Sequence, residues 1–147
     1  MACIQCNCGK TRILLATNRP RTLTVCCCED CWKRFDVLHQ QRGGPKAQDR
    51  NLPALLYTFE NSLVIESGDI YFFKLHEGPC PVNAASSCCN TYMTGYFAPY
   101  HHNCVVIPSS ESGGGKLEIG NPKGVCVGAG EPIQIGSSPN QGSTMVL

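Results

Sequence analysis

The sequence has no large excess of charge of either sign. Its 147 residues include 12 lysines and arginines against 11 aspartates and glutamates, which gives a formal net charge of +1. Nucleic acids and anionic membranes attract proteins through broad basic surfaces, so this balance argues against both as partners. A small local basic patch is still compatible with the composition.

Long apolar segments are also missing. No run approaches the roughly 20 residues that a membrane-spanning helix needs. The first ten residues, MACIQCNCGK, have no positively charged start followed by an apolar stretch, so they do not read as a secretory signal. We therefore expect a cytoplasmic protein in a reducing compartment. Its length suffices for one domain with a core.

Two common catalytic patterns are absent as well. The sequence contains no glycine-rich phosphate loop, no visible Ser-His-Asp arrangement and no internal repeat. Phosphate binding by such a loop and serine-type hydrolysis are therefore not indicated by the sequence.

Cysteine, in contrast, is abundant, with 12 residues. Most of these lie in three groups, within residues 3–9 (CIQCNCG), 25–32 (VCCCEDCW) and 86–91 (SSCCNT). Adjacent cysteines and Cys-x-Cys pairs are poor disulfide partners because of their geometry, and disulfides are rare in reducing compartments. Clustered cysteines in such a chain more often bind a metal or take part in chemistry.

The order of apolar and turn-forming segments predicts a mainly β domain. Residues 10–25 read as two short strands joined by a turn at NRP, so a hairpin or meander would connect the first two cysteine groups. Further strands are predicted in ALLYTFE, SLVIES, DIYFFKL, TYMTGYFAPY and CVVIP. A short helix is predicted from about Asp30 to Gln40, where three apolar side chains follow helical spacing.

The composition changes after Pro108. Residues 109–147 are rich in glycine, serine and proline and offer little to bury, which favours a flexible C-terminal tail. The segments KLEI and PIQI are candidates for short edge strands within it. We therefore divide the chain into a cysteine-rich domain of residues 1–108 and a tail of residues 109–147.

The first and third cysteine groups can form a zinc site together. Structural zinc takes four ligands at tetrahedral corners, and thiolates are preferred ligands. Cys6, Cys8 and Gly9 form a Cys-x-Cys-Gly turn, in which the glycine permits a positive φ. Two thiols alone cannot close a site. The candidates for the remaining ligands are Cys88, Cys89 and Cys3.

The second group supplies three thiols, those of Cys26, Cys28 and Cys31. They lie in one turn and at the start of the predicted helix. Three protein ligands with one open position are the pattern of a catalytic zinc. The open position would take water or a substrate thiol, whose pKa the metal lowers. Alternatively, Cys31 near the helix N-terminus would have a lowered pKa without any metal. No general base stands out, although Glu29 and Asp30 qualify by position.

Other residues have a structural interpretation. Trp32 is expected to anchor the predicted helix in the core. Lys33 and Arg34 could hold a substrate carboxylate, but a solvated helix face is the preferred interpretation. An isolated free cysteine is usually a small buried hydrophobic residue. This interpretation applies to Cys80, Cys104 and Cys126.

The order of the three groups resembles the glutathione-dependent formaldehyde-activating enzyme family, which includes the centromere protein V domain. That family carries Cys-x-Cys-Gly-x-x-Arg near its start, and residues 6–12 match this motif. Its next motif, Cys-His-Cys-x-x-Cys, corresponds to residues 26–31, and its late Cys-x-x-Cys-Gly-Thr corresponds to residues 86–91. The resemblance extends from about Cys3 to Pro108, and CCNT is typical of a divergent branch.

The resemblance implies a fold of stacked antiparallel sheets, called a β-tent, and two zinc ions. By the same resemblance, Cys6, Cys8 and Cys89 hold a structural zinc. The catalytic zinc would be held by Cys26, Cys28 and Cys31. The implied activity is that of a carbon–sulfur lyase acting on a glutathione adduct such as S-hydroxymethylglutathione.

Three positions depart from the family pattern. Cys27 replaces the histidine of the second motif, and Ser86 replaces the first cysteine of the third, so that Cys88 or Cys3 would supply the missing ligand. Asn90 replaces the glycine, although asparagine also tolerates the left-handed conformation. The alternative function is a non-catalytic zinc module that binds a protein or a nucleic acid. A second zinc saturated by Cys27 would favour that alternative.

Overall fold

The protein is described by a computed structural model that covers residues 2–47, 52–98, 103–120, 125–129 and 131–135. It is a mainly β structure with two sheets, and one α-helix occurs in these ranges. The helix is α1 Glu29–Arg42. The strands are β1 Cys3–Gln5, β2 Arg12–Leu15, β3 Thr22–Cys26, β4 Ala54–Glu60, β5 Leu63–Ser67, β6 Ile70–Phe73, β7 Val82–Ser86, β8 Tyr92–Tyr96, β9 Cys104–Pro108, β10 Lys116–Glu118, β11 Val125–Ala129 and β12 Glu131–Ile135.

The strands form one sheet of four and one sheet of eight. The smaller sheet has the order β10-β1-β2-β5, and the larger has the order β12-β11-β3-β4-β9-β8-β7-β6. Neighbouring strands are antiparallel, apart from the parallel pair β11–β3. The predicted mainly β fold with antiparallel sheets and one helix is confirmed.

Two apolar cores arrange these elements in three layers. One core lies between the two sheets, and it includes Ile4, Ile13, Leu15, Phe59, Met93, Val105 and Ile107. The other lies between α1 and the opposite face of the larger sheet, and it includes Trp32, Phe35, Leu38, Leu56, Tyr92 and Val106. The larger sheet is therefore the central layer, and the predicted anchoring of Trp32 in a core is confirmed.

Helix α1 has clear end signals. Glu29 and Asp30 lie in its first turn, where negative charge is favoured by the helix dipole. Gly43 ends the helix in a left-handed conformation with φ of 70°, and its backbone N–H donates to the His39 carbonyl. The helix thus exceeds the predicted range of Asp30 to Gln40 by one residue at its start and two at its end.

The prediction that residues 10–25 form a hairpin or meander is wrong. Strand β2 pairs with β1 and β5, whereas β3 pairs with β4 and β11 in the other sheet. Residues 16–21 therefore carry the chain from one sheet to the other. Apolar periodicity reveals that a segment is a strand, but it does not reveal which strand will be its neighbour.

Strands also occur after Pro108, in the segment that composition alone assigns to a tail. Ser109 and Ser112 are buried, and β10 pairs with β1. Backbone pairing places β11 beside β3 and β12 beside β11. Residues 136–147 lie outside the described ranges. Within those ranges, no helix is both long and apolar enough to cross a membrane.

Candidate metal centres

The structure brings the first and third cysteine groups together. The β1–β2 turn contributes Cys6 and Cys8, and the β7–β8 turn contributes Cys88 and Cys89. We call these residues the four-thiol group; their sulfur atoms all lie within 4.8 Å of one another. The Sγ atoms of Cys6 and Cys88 are 3.5 Å apart, and those of Cys8 and Cys88 are 3.2 Å apart. A tetrahedral zinc with bonds of about 2.3 Å has sulfur–sulfur edges of about 3.8 Å.

Backbone geometry explains why the first turn presents its thiols. Gly9 has a φ of 78°, and its N–H donates to the Cys6 carbonyl. The N–H of Thr11 donates to the Cys6 sulfur over 3.2 Å. The turn is therefore organised around the Cys6 sulfur.

Cys88 belongs to the four-thiol group, as the sequence predicts for a replacement of Ser86 as ligand. Ser86 is fully buried, and its hydroxyl lies 3.4 Å from the Cys89 sulfur. Burial raises the pKa of Cys89, but hydrogen bonds from Ser86 and Thr91 outweigh that effect and lower it to about 6. Cys3, the other candidate, lies outside the group: its thiol contacts Arg12 and Glu118.

The second cysteine group converges at the end of β3 and the start of α1. The sulfur atoms of Cys26, Cys28 and Cys31 lie within 4.8 Å of one another, and we call these residues the three-thiol group. The sulfurs of Cys28 and Cys31 are 3.2 Å apart. Cys26 and Cys31 are fully buried, whereas Cys28 is partly exposed. Both cysteine groups can hold a metal ion.

Hydrogen bonding within the three-thiol group separates its ionisations. Hydrogen bonds from Cys26 and then Cys31 lower the pKa of Cys28 to about 3. The same contacts with Cys26 and Cys28, together with burial, raise the pKa of Cys31. One thiol is therefore ionised readily and supported by the others. A bound cation would remove this difference in pKa between the thiols, because coordination deprotonates thiols directly.

Cys27 does not join the three-thiol group. It is exposed, although it lies between two members of the group in sequence. The backbone at Cys28, which precedes α1, is extended, with φ of −72° and ψ of 153°. Neighbouring side chains of an extended segment point to opposite sides. The described residues therefore contain three grouped thiols here and no fourth.

Arg34 is buried beside this group, which contradicts the predicted solvated face at this position. Only 4% of it is exposed. Its Nη2 donates to the Cys31 sulfur over 3.3 Å, and its Nη1 donates to the Tyr92 hydroxyl over 2.7 Å. Burial lowers the pKa of Arg34, but electrostatic interactions with Tyr92 and Cys31 raise it above its ordinary value. The guanidinium therefore stays charged.

A pocket of about 250 Å³ adjoins Arg34. Its polar lining includes Asp30 and Arg34 from α1, His76 and Cys80 from the segment after β6, and Asn83 from β7. His76 Nε2 lies 3.1 Å from a carboxylate oxygen of Asp30. The pocket thus contains a carboxylate, an imidazole and a guanidinium, and Arg34 connects it to the three-thiol group through its contact with Cys31.

Cys80 does not fit the buried role predicted for isolated cysteines. It is partly exposed, lines the pocket and donates its thiol hydrogen to the His76 carbonyl over 3.1 Å. Cys104 does fit that role, because only 7% of it is exposed. The side chain of Cys126 lies outside the described residues.

Sequence reasoning missed His76 and Asn83 at this site, and it named Arg34 as a candidate but preferred a solvated position for it. His76 lies in a loop, and its proximity to Asp30 depends on how that loop folds over α1. Asn83 belongs to β7, a strand of small residues that was not predicted. Arg34 carried a weak signal, since it lies three residues after Cys31 and hence on nearly the same helix face.

The chain was compared with protein-family models, with curated proteins and with solved structures, and none of these comparisons found a match.

Proposed function

We propose that this chain is a zinc protein with one structural and one reactive site. The four-thiol group is the structural site, because four thiolates complete a tetrahedron and leave no open position. The three-thiol group is the reactive site. The observation that carries this proposal is the three-thiol group, which Arg34 links to a polar pocket, with the neighbouring Cys27 exposed and outside the group.

The proposed activity is that of a carbon–sulfur lyase on a small thiol adduct, with S-hydroxymethylglutathione as the first candidate. In the cleavage direction, the bond between the hydroxymethyl carbon and sulfur breaks, and sulfur keeps the electron pair. The hydroxyl proton passes to water, and the carbon leaves as formaldehyde. A zinc at this site would stabilise the thiolate that is released.

The chain's own residues support binding of such an adduct. Arg34 and Asn83 give the pocket a buried polar floor, with exposed fractions of 4% and 2%. Asp30 and His76 add a carboxylate and an imidazole to its more exposed side. Carboxylates and an ammonium group, as in glutathione, match this mixture of charges. The motif resemblance favours the same class of substrate.

The first test is the zinc content of protein purified under reducing conditions without added metal. We expect about two zinc ions per chain, one for each group. Cys88→Ser and Cys28→Ser should each lose about one. Cys27→Ser is the matched control, because its thiol is exposed and lies outside the group; it should retain both. One zinc in the unmodified protein would contradict the reactive site, and none would contradict both sites.

The activity test uses NMR to follow the exchange between the glutathione adduct and its free components, formaldehyde and glutathione. The unmodified protein and Cys27→Ser should accelerate the exchange, whereas Cys28→Ser should not. A protein that binds two zinc ions but leaves the exchange rate unchanged would refute the lyase. Retained zinc without activity would then favour the non-catalytic zinc module.

A further inference from the structure

The side chain of Arg34 is a buried cation. Among the residues that the structure describes, no aspartate or glutamate lies within salt-bridge distance of its guanidinium. It contacts the Asp30 carbonyl, the Tyr92 hydroxyl and the Cys31 sulfur. Removing a charge from water is costly unless an opposite charge compensates it. A negative charge beside Arg34 would offset this cost.

Cys31 would supply this negative charge when it binds a metal, because coordination deprotonates a thiol. The Tyr92 hydroxyl donates to the Asn83 Oδ1 over 3.0 Å while it accepts from Arg34, which requires a neutral phenol. The Asp30 contact is made by a backbone carbonyl, which carries no net charge. The Cys31 sulfur accepts from Nη2 over 3.3 Å, and a thiolate there would pair with the guanidinium.

Counting charges connects Arg34 to the metal. Three thiolates and one Zn²⁺ have a net charge of −1, and one guanidinium neutralises it. We propose that Arg34 is the countercharge of a metal ion held by the three-thiol group, and that it positions this site for an anionic fourth ligand. This inference rests on the proposed function, because it requires a metal at that group.

The pocket gives the proposed countercharge a consequence for ligand choice. A thiolate that enters the open position adds a further negative charge to the centre. With Arg34 the total becomes −1, whereas without it the total would be −2 in a buried region. Arg34 both lines the pocket and contacts the Cys31 sulfur. The guanidinium should therefore favour a thiolate over neutral water at the metal.

The fold holds the guanidinium in place. The chain of hydrogen bonds from Arg34 through Tyr92 to Asn83 is buried. Gly95 leaves room for it, because a Cβ at that position would lie 2.5 Å from the Tyr92 hydroxyl oxygen and 3.2 Å from Asn83 Oδ1. The position of the charge is thus fixed by the larger sheet, and the metal ligands are fixed by β3 and α1.

Zinc affinity, measured by competition with a chromophoric chelator, tests the proposal. Arg34→Met should lower the affinity for the more weakly bound zinc by about 10–100-fold, as removal of groups that contact metal ligands usually does. Arg34→Lys keeps the charge and should stay within a few-fold of the unmodified protein. The four-thiol group is an internal reference: its zinc should bind unchanged if the variant is folded. If Arg34→Met binds each of its two zinc ions as tightly as the unmodified protein does, the proposal is overturned.

A second measurement reports on the fourth ligand. Cobalt(II) replaces zinc, and its visible bands shift when mercaptoethanol binds as a thiolate. The unmodified protein should require less mercaptoethanol for this shift than Arg34→Gln, a second uncharged variant that serves if Arg34→Met does not fold. Identical titrations would contradict the role of Arg34. If the unmodified protein binds only one zinc ion, and Cys28→Ser does not change that number, the reactive site itself is refuted. If both zinc ions bind but the Arg34 variants behave like the unmodified protein, only the role of Arg34 is refuted.

Discussion

At the scale of single residues, Asn90 shows how a departure from a motif can acquire a role. It adopts a φ of 53°, a left-handed conformation that asparagine tolerates better than most residues with a side chain. Its side chain then makes contacts that glycine cannot make. The Tyr71 hydroxyl donates to Asn90 Oδ1 over 2.7 Å, and Asn90 Nδ2 donates to the Arg42 carbonyl over 2.8 Å. Asn90 thus joins the β7–β8 turn to β6 and to the end of α1.

We predict that Asn90→Gly destabilises the protein by about 1–2 kcal/mol, although glycine suits this φ, because two hydrogen bonds are lost. Urea unfolding of the zinc-loaded protein measures the change. Tyr71→Phe removes one of the two hydrogen bonds and is the matched partner in a double-mutant cycle. A cycle in which the two changes are fully additive would show that the Tyr71 contact contributes nothing.

At the scale of elements, the position of α1 depends on aromatic packing against the larger sheet. Phe35 is 1% exposed, and its ring meets that of Tyr92 edge-on with centroids 5.4 Å apart. The same helix carries Cys31 and Arg34 on its buried face. Packing at Phe35 therefore fixes both a proposed metal ligand and its proposed countercharge.

Phe35→Ala should cost about 3–5 kcal/mol, because it opens a cavity under the helix. Gln40→Ala, an exposed position on the same helix, should change the free energy of unfolding by less than about 0.5 kcal/mol. Denaturant titrations of both variants with zinc present measure the difference. Similar values for the two variants would contradict the docking of α1 through this ring.

Local sequence features predicted where the strands and the helix lie better than they predicted which strands pair with each other. The strand at ALLYTFE and the helix after Cys31 follow from periodicity, and both occur within a few residues of the predicted ends. The assignment of β2 and β3 to different sheets depends on long-range pairing, which no local pattern encodes. The same limit explains the site: ligand spacing is local, whereas His76 meets Asp30 only across the fold.

At the scale of the whole molecule, the two thiol groups constrain the chain differently. Cys8 and Cys88 are 80 positions apart, and they join the β1–β2 turn of the smaller sheet to the β7–β8 turn of the larger sheet. Cys28 and Cys31 are three positions apart. A metal at the four-thiol group therefore cross-links the two sheets, whereas a metal at the three-thiol group closes a short local loop.

This difference predicts unequal costs for the loss of each metal. In the chain-entropy model for cross-links, closing a loop of about 80 residues stabilises by roughly 2 kcal/mol more than closing one of about five. Cys88→Ser should therefore lower the thermal midpoint of the zinc-loaded protein more than Cys28→Ser does. Circular dichroism at equal zinc concentration measures both midpoints.

Removal of the metal provides the control for this comparison. Without zinc, neither group cross-links the chain, so the two variants and the unmodified protein should unfold within about 0.5 kcal/mol of one another. A difference that persists after chelation would arise from packing of the thiols and not from the metal. A larger loss for Cys28→Ser than for Cys88→Ser with zinc present would contradict the assignment of the four-thiol group as the structural site. The stability of the three layers would then depend on the reactive site, where α1 meets β3.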